Sequence, residues 1–161
     1  MDLVLWRHAE AQAVSDGCDD LSRELTRKGH RQAKLMADWL IRHLPESARV
    51  LVSPAKRAEQ TANALGRKFK FRDELVPQSS ADDVLSLIKW DPLCGPQMNG
   101  TLLLVGHQPY LGELVARLLR TTEQSCPVRK GGVWWLRIRE RNGEFQSVVM
   151  SATCPNFISR S

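Results

Sequence analysis

Thr101-Leu-Leu-Leu-Val105 is a strand-length run that is almost wholly apolar, and it leads straight into Gly106-His107. A strand with one wet face alternates polar and apolar residues, whereas a strand covered on both faces does not. The run therefore calls for a sheet with helices above and below it. Leu3-Val-Leu-Trp6 and Arg49-Val-Leu-Val52 read as two further buried strands. Elsewhere the apolar spacing becomes three and four. Ala33, Met36, Ala37, Leu40, Ile41 and Leu44 predict a helix capped by Thr26 and ending before Pro45. Ser53-Pro54, a cap and a first-turn proline, predicts a second helix through about Phe69.

Farther along, Phe71 to Val76 reads as extended, and a helix at Asp82 to Trp90 turns Val84, Leu85 and Ile88 inward. Pro92 to Gly100 is expected to be a loop, as is the polar stretch Ala9 to Glu24. A helix with Leu111, Leu114, Val115, Leu118 and Leu119 on its core face follows His107. Val133 to Arg139 and Phe145 to Met150 flank Asn142-Gly143, a two-residue hairpin signal. The fold class is α/β: three layers, α/β/α, with a mostly parallel sheet and a C-terminal antiparallel hairpin. Without a linker or repeat, residues 1–161 are expected to form one domain.

Composition narrows the function classes. With 42% hydrophobic and 25% charged residues, the chain has the make-up of a folded globular domain. The first apolar run stops after four residues at Arg7, too short for a signal-peptide core or a membrane span, so a cytoplasmic protein is expected. Cys18, Cys94, Cys126 and Cys154 are scattered, with no Cys-x-x-Cys pair and no neighbouring histidine, so neither a zinc site nor a disulfide framework is expected. The net charge of +5 favours acidic or phosphorylated partners. Because the basic residues form no tract, no nucleic-acid partner is expected.

Three polar groups fall at the carboxyl ends of predicted strands: Arg7-His8, Ser53-Pro54 with Arg57, and Gly106-His107. In an open α/β sheet that edge is where ligands bind. Two arginines and two histidines there would make an anion site containing a possible nucleophile. Arg7-His8-Ala9-Glu10-Ala11, the segment Ser53 to Thr61 (Ser-Pro-x-x-Arg-Ala-x-Gln-Thr) and Val105-Gly-His-Gln-Pro109 together resemble the histidine phosphatase superfamily, and within it the small SixA-type phosphohistidine phosphatases. The resemblance runs in order through nearly the whole chain. It departs at Ala9, where the family has glycine, so the turn there must suit an L-residue.

The resemblance implies a phosphoglycerate-mutase-like fold without a cap insertion. It assigns catalysis to His8, Arg7, Arg57 and His107, and phosphate binding to Arg7, Arg57 and His107, with no metal and no cofactor. His8 would attack phosphorus and form a phosphohistidine intermediate that water cleaves. The attacking ring must be neutral. Two guanidinium groups about 5 Å away, at an effective dielectric near 20, would each oppose its protonation by up to roughly 3 kcal/mol. Glu10 and Glu74 are the candidate general acids, though neither stands in an acid motif.

A phosphohistidine leaving group depends little on enzyme-supplied acid, and only a short helix and a loop lie between Glu74 and Thr101. The expected substrate is therefore phosphohistidine on a signalling or phosphotransfer protein, such as a histidine-containing phosphotransfer domain. A phosphatase of small phosphate esters and a non-catalytic phosphohistidine-binding module are the alternatives; a nucleic-acid binder rests on charge alone. Gln60 and Thr61 read as hydrogen-bond support, and His30 and His43 as surface residues. Arg137, Arg139 and Arg141 share one strand face, read as solvated. Of Trp134 and Trp135, on opposite faces, one is expected in the core.

Overall fold

The computed structural model describes residues 1–158 of the chain. In chain order the elements are β1 (Asp2–Arg7), α1 (Arg27–His43), β2 (Arg49–Val52), α2 (Lys56–Asn63), β3 (Lys70–Phe71), α3 (Ala81–Leu87), β4 (Trp90–Asp91), β5 (Gly95–Pro96), β6 (Thr101–Gly106), α4 (Tyr110–Leu119), β7 (Val133–Arg141) and β8 (Glu144–Thr153). Six strands form one sheet in the order β3-β2-β6-β1-β7-β8. The first four run parallel. Strand β7 pairs antiparallel to β1, and β8 antiparallel to β7. The α/β expectation, mostly parallel with a closing hairpin, is met.

The strand period of two sorts the core into two layers. Leu3, Leu5, Leu102, Leu104 and Leu136 face α3 and α4, where Val84, Ile88, Leu111 and Leu114 cover them. Val4, Trp6, Leu103, Val105 and Trp135 face α1 and α2, against Met36, Leu40, Ala58 and Ala62. Each side chain of Leu102 to Val105 is essentially unexposed, and burying one leucine contributes roughly 1.5–3 kcal/mol relative to exposure. No helix among the described residues is long and apolar enough to cross a membrane.

Several expected boundaries shift. Helix α2 begins at Lys56, not at Pro54, and it ends at Asn63, six residues before Phe69. Ser53 does not cap it, because its hydroxyl is turned to His107; Gly66, at φ +63°, carries the chain away. Helix α3 stops at Leu87, since Lys89 takes φ +53°. Trp90-Asp91 then pairs with Gly95-Pro96 inside the segment read as a loop. Strand β3 is two residues long, and Asp73–Leu75 coils into a 3₁₀ turn where extension was expected. Ile41 is 44% exposed, so the apolar stripe of α1 is narrower than its spacing implied. Thr26 caps α1 as predicted, accepting from the Gly29 N–H at 3.0 Å. The hairpin turns at Asn142-Gly143, both at positive φ, as a primed turn requires.

Candidate active site

The sheet brings three strand ends together. β1 delivers Arg7 and His8, β6 delivers His107, and the Ser53 N–H closes onto the Val105 carbonyl at 3.0 Å, setting the turn into α2 beside them. The His8 N–H bonds the Gly106 carbonyl at 3.0 Å, which locks the two histidine-bearing ends together. Their ring centroids lie 5.0 Å apart. Arg57, in the first turn of α2, reaches back to the same place. Arg7, His8, Arg57 and His107 line one hollow. His8 is 8% exposed, Arg57 3% and His107 2%; such polar burial requires partners.

Some partners are present. The Nδ1 of His8 is 2.7 Å from the Ala9 carbonyl, an acceptor only, so Nδ1 carries the hydrogen and Nε2 keeps its lone pair. Ala9 itself is held by its N–H, which donates to the Thr61 hydroxyl at 3.0 Å, and it needs no positive φ. Thr61 in turn donates to the Arg57 carbonyl, and the Gln60 side-chain oxygen accepts from the Leu25 N–H. Both residues are supports, as expected.

His107 has a matching logic. The Ser53 hydroxyl oxygen accepts from the Ala55 N–H at 3.2 Å and lies 2.8 Å from His107 Nε2. Nε2 is the acceptor this hydroxyl has among the described residues, so Ser53 donates and the ring hydrogen of His107 sits on Nδ1. Tyr110 fixes the backbone, its hydroxyl accepting from the His107 N–H at 3.1 Å and donating to the Leu75 carbonyl at 2.7 Å. Gly106 is obligatory here, since a β-carbon on it would collide with that hydroxyl.

Three buried donors have no partner among the described residues: Arg7 Nε, Arg57 Nε and His107 Nδ1. Leaving a buried donor unmade costs about 1–3 kcal/mol, more when it is charged. All three belong to residues lining the hollow. They suit an oxyanion with several acceptor oxygens. Elsewhere the guanidinium groups are braced, Arg7 through Nη1 on the Val128 carbonyl at 2.8 Å and Arg57 through both Nη atoms on the Asp20 carbonyl and carboxylate at 2.7 and 3.0 Å.

Both histidines are neutral. His8 is lowered to about 3, chiefly by burial, with the charges of Arg57, Arg7 and Arg23 adding to it. The sequence reading gave the guanidinium charges first place; burial outranks them. His107 is lowered to about 2, again by burial first, then by His8 and Arg57. Burial also lowers Arg7 and Arg57 without threatening their charge.

Sequence reasoning missed Asp20, Arg23 and Lys130. Asp20 bridges Arg57 and Arg23, meeting Arg23 at 2.8 Å. Burial opposes its ionisation, but bonds from Arg23 and Arg57 outweigh that and hold it below the ordinary carboxylate range. Arg23 and Lys130 line the hollow. Asp20 and Arg23 lie in a stretch without periodicity, which hides their placement.

Glu10 and Glu74 are not brought in. The Glu10 carboxylate accepts from the Thr26 hydroxyl at 2.9 Å and faces Lys28 at 3.5 Å, and Glu74 stands exposed on the 3₁₀ turn. No carboxylate lines the hollow among the described residues. The four cysteines are free thiols, and His30 and His43 are exposed. Trp135 is the buried member of its pair, bonded through Nε1 to Asp2, while Trp134 is half-buried. Arg137 is not simply solvated; it forks onto the Asp2 carboxylate with two bonds of 2.8 Å.

Comparison with known proteins agrees with this geometry. The family model described as histidine phosphatase superfamily (branch 1) matches residues 3–79. A phosphohistidine phosphatase SixA homolog of Haemophilus influenzae is 30% identical over 131 residues, 73% of this chain and 77% of that protein. The phosphohistidine phosphatase SixA of Escherichia coli is 33% identical over 121 residues, 73% of this chain and 74% of that one. The solved structure of a protein histidine phosphatase SixA complexed with tungstate superposes with a TM-score of 0.79 at 27% identity, covering 99% of this chain and all of that one.

Proposed function

Since the chain belongs to the histidine phosphatase superfamily, we propose that it hydrolyses the P–N bond of phosphohistidine on a signalling or phosphotransfer protein, by way of a phosphorylated His8. The observation that carries the reading is the set of three unpartnered buried donors beside a neutral imidazole with a free Nε2 lone pair.

In the first step His8 Nε2 attacks phosphorus opposite the leaving nitrogen. The new P–Nε2 bond forms as the substrate's P–N bond breaks. The departing imidazole already carries a hydrogen on its other nitrogen and leaves as a neutral ring once the reacting nitrogen takes back its lone pair. In the second step water attacks the same phosphorus, the P–Nε2 bond breaks with its electron pair returning to Nε2, and phosphate departs carrying both hydrogens of the water, with His8 neutral again. Arg7 Nε, Arg57 Nε and His107 Nδ1 hold the phosphoryl oxygens through both steps, and two guanidinium charges match a phosphoryl dianion without a metal. Preorganised donors of this kind need no rearrangement as charge develops.

The lack of a carboxylate in the hollow favours a P–N substrate over an ester. An alkoxide must be protonated as it leaves, and Asp20, the nearest acid, is held ionised by two arginines. Between Leu75 and Thr101 stand only the two-turn helix α3 and the β4–β5 ribbon, so a side chain of another protein has access. We read residues 1–161 as one uncapped domain.

The test is a panel of a phosphorylated histidine-containing phosphotransfer domain and sugar phosphates, assayed side by side. Acid-labile phosphate trapped on the wild-type protein and absent from His8→Ala is the expected result. Efficient sugar-phosphate cleavage without phosphohistidine cleavage would overturn the substrate assignment.

A further inference from the structure

The loop Pro127–Gly132 is bound to the strand of the nucleophile at Val128, Gly131 and Gly132. The Val128 carbonyl accepts from the Arg7 side chain at 2.8 Å, and the Gly132 carbonyl from the Arg7 N–H at 3.0 Å. The Gly131 N–H donates to the His8 carbonyl at 3.0 Å, and the Gly131 carbonyl accepts from Trp6 Nε1 at 3.0 Å. A loop held this way is a rigid wall. One side of it faces the hollow through Lys130; the other borders a groove lined by Arg129, Trp134 and Phe157.

That groove has the make-up of a contact surface. Phe157 is 80% exposed, and Arg129 beside it is exposed too. Aromatic residues and arginine dominate the energetic centres of interfaces. A side chain that carries a phosphoryl group into the hollow brings its own protein across the shared wall. The charged residues lining the hollow are all cationic: Arg7, Arg23, Arg57 and Lys130. Arg7 and Arg57 suffice for a phosphoryl dianion, so Lys130 and Arg129 extend positive charge beyond it. A second copy of this chain, itself at +5, would present like charges there.

Building on the phosphohistidine reading, we propose that Arg129, Trp134 and Phe157 across the Pro127–Gly132 wall form the docking face for the protein that bears the phosphohistidine. That partner meets the face with carboxylates set around an apolar side chain. Charge there governs encounter and register, and the aromatic contact slows release.

The experiment uses wild type, Arg129→Glu and Phe157→Asp with two probes, a phosphorylated histidine-containing phosphotransfer domain and free phosphohistidine. Arg129→Glu is expected to raise KM for the phosphoprotein about tenfold at low salt, and Phe157→Asp about fivefold. Turnover of free phosphohistidine stays within about twofold for both. The proposal falls if KM for the phosphoprotein does not move, if both probes lose equally, or if the variants abolish a concentration-dependent self-association of the wild type. Wild type that cleaves free phosphohistidine but not the phosphoprotein keeps the chemistry and removes the docking face. Cleavage of neither removes the phosphohistidine reading itself.

Discussion

The Ser53 hydroxyl and Nε2 of His107 stand 2.8 Å apart, joining residues 54 positions distant in the chain. Ser53 is fully buried and Nε2 is the acceptor within reach of its hydroxyl hydrogen among the described residues, so that hydrogen goes to Nε2, and the one ring hydrogen of His107 is assigned to Nδ1. Among the described residues Nδ1 is buried without a partner, and His107 belongs to the hollow's lining. The serine thereby decides which nitrogen of the histidine can donate to a phosphoryl oxygen.

Ser53→Ala should leave Nε2 unpartnered, at a cost of about 1–3 kcal/mol in stability. The ring then loses its bias toward the Nδ1–H form, and turnover should fall about tenfold. Two-bond nitrogen–proton correlation spectra of histidine-labelled protein check this directly. Wild type should show the Nδ1–H pattern for His107, and Ser53→Ala a mixture of tautomers.

Arg57→Ala should reduce kcat on the order of 10²–10³-fold, the loss typical of one preorganised donor. Asp20→Ala removes one of the two anchors of that guanidinium and leaves the carbonyl anchor, so about a tenfold loss in kcat/KM is expected. Asp20→Asn keeps an acceptor and should recover part of it. Equal losses in all three variants would show that Asp20 does more than position Arg57.

The pH dependence has a definite sign. His8 is lowered to about 3 and His107 to about 2, against about 6.5 for an unfolded histidine. Below about pH 6.5 the unfolded chain takes up protons that the folded one refuses, so stability must fall as pH drops from there toward 3. Urea unfolding at pH 7.5 and pH 5 should show this loss, and His8→Gln should flatten part of it. Activity, by contrast, should show no inflection near 6.5 from the nucleophile. A wild-type midpoint that does not change between those pH values would contradict the neutral, buried state of both rings.

Gly106→Ala should push a methyl into the Tyr110 hydroxyl and displace the His107 backbone, at roughly 1–3 kcal/mol. Adding Tyr110→Phe removes the obstructing oxygen. The double variant should therefore be more stable than the sum of the two single losses predicts, as thermal denaturation can measure.

The parts of the molecule that repeat were legible. Unbroken apolar runs gave the buried strands, and their ends carried Arg7, His8 and His107 to one edge because strand ends are where a parallel sheet opens. Arg57 followed from its place near the start of the helix after Ser53-Pro54, although that helix begins later than its proline suggested. What stayed hidden depends on contacts across the chain. Asp20 and Arg23 reach Arg57 from a polar stretch with no period. Ser53 looked like a helix cap because the same hydroxyl serves either a cap or a distant histidine, and only the fold chooses. The cause of His8's neutrality was ranked wrongly for a similar reason: sequence displays the charges near a group but not how deeply it is buried.

Strand β1 lies inside the sheet, paired with β6 on one side and β7 on the other. Its amides therefore exchange hydrogen with solvent only when much of the molecule opens, whereas the 3₁₀ turn at Asp20–Ser22 lies at the surface and its backbone is closed by local bonds within the turn. Attacking atom and arginine brace thus rest on regions that open at very different rates. Motion at the rim can admit and release a bulky visitor while the imidazole beneath keeps its aim.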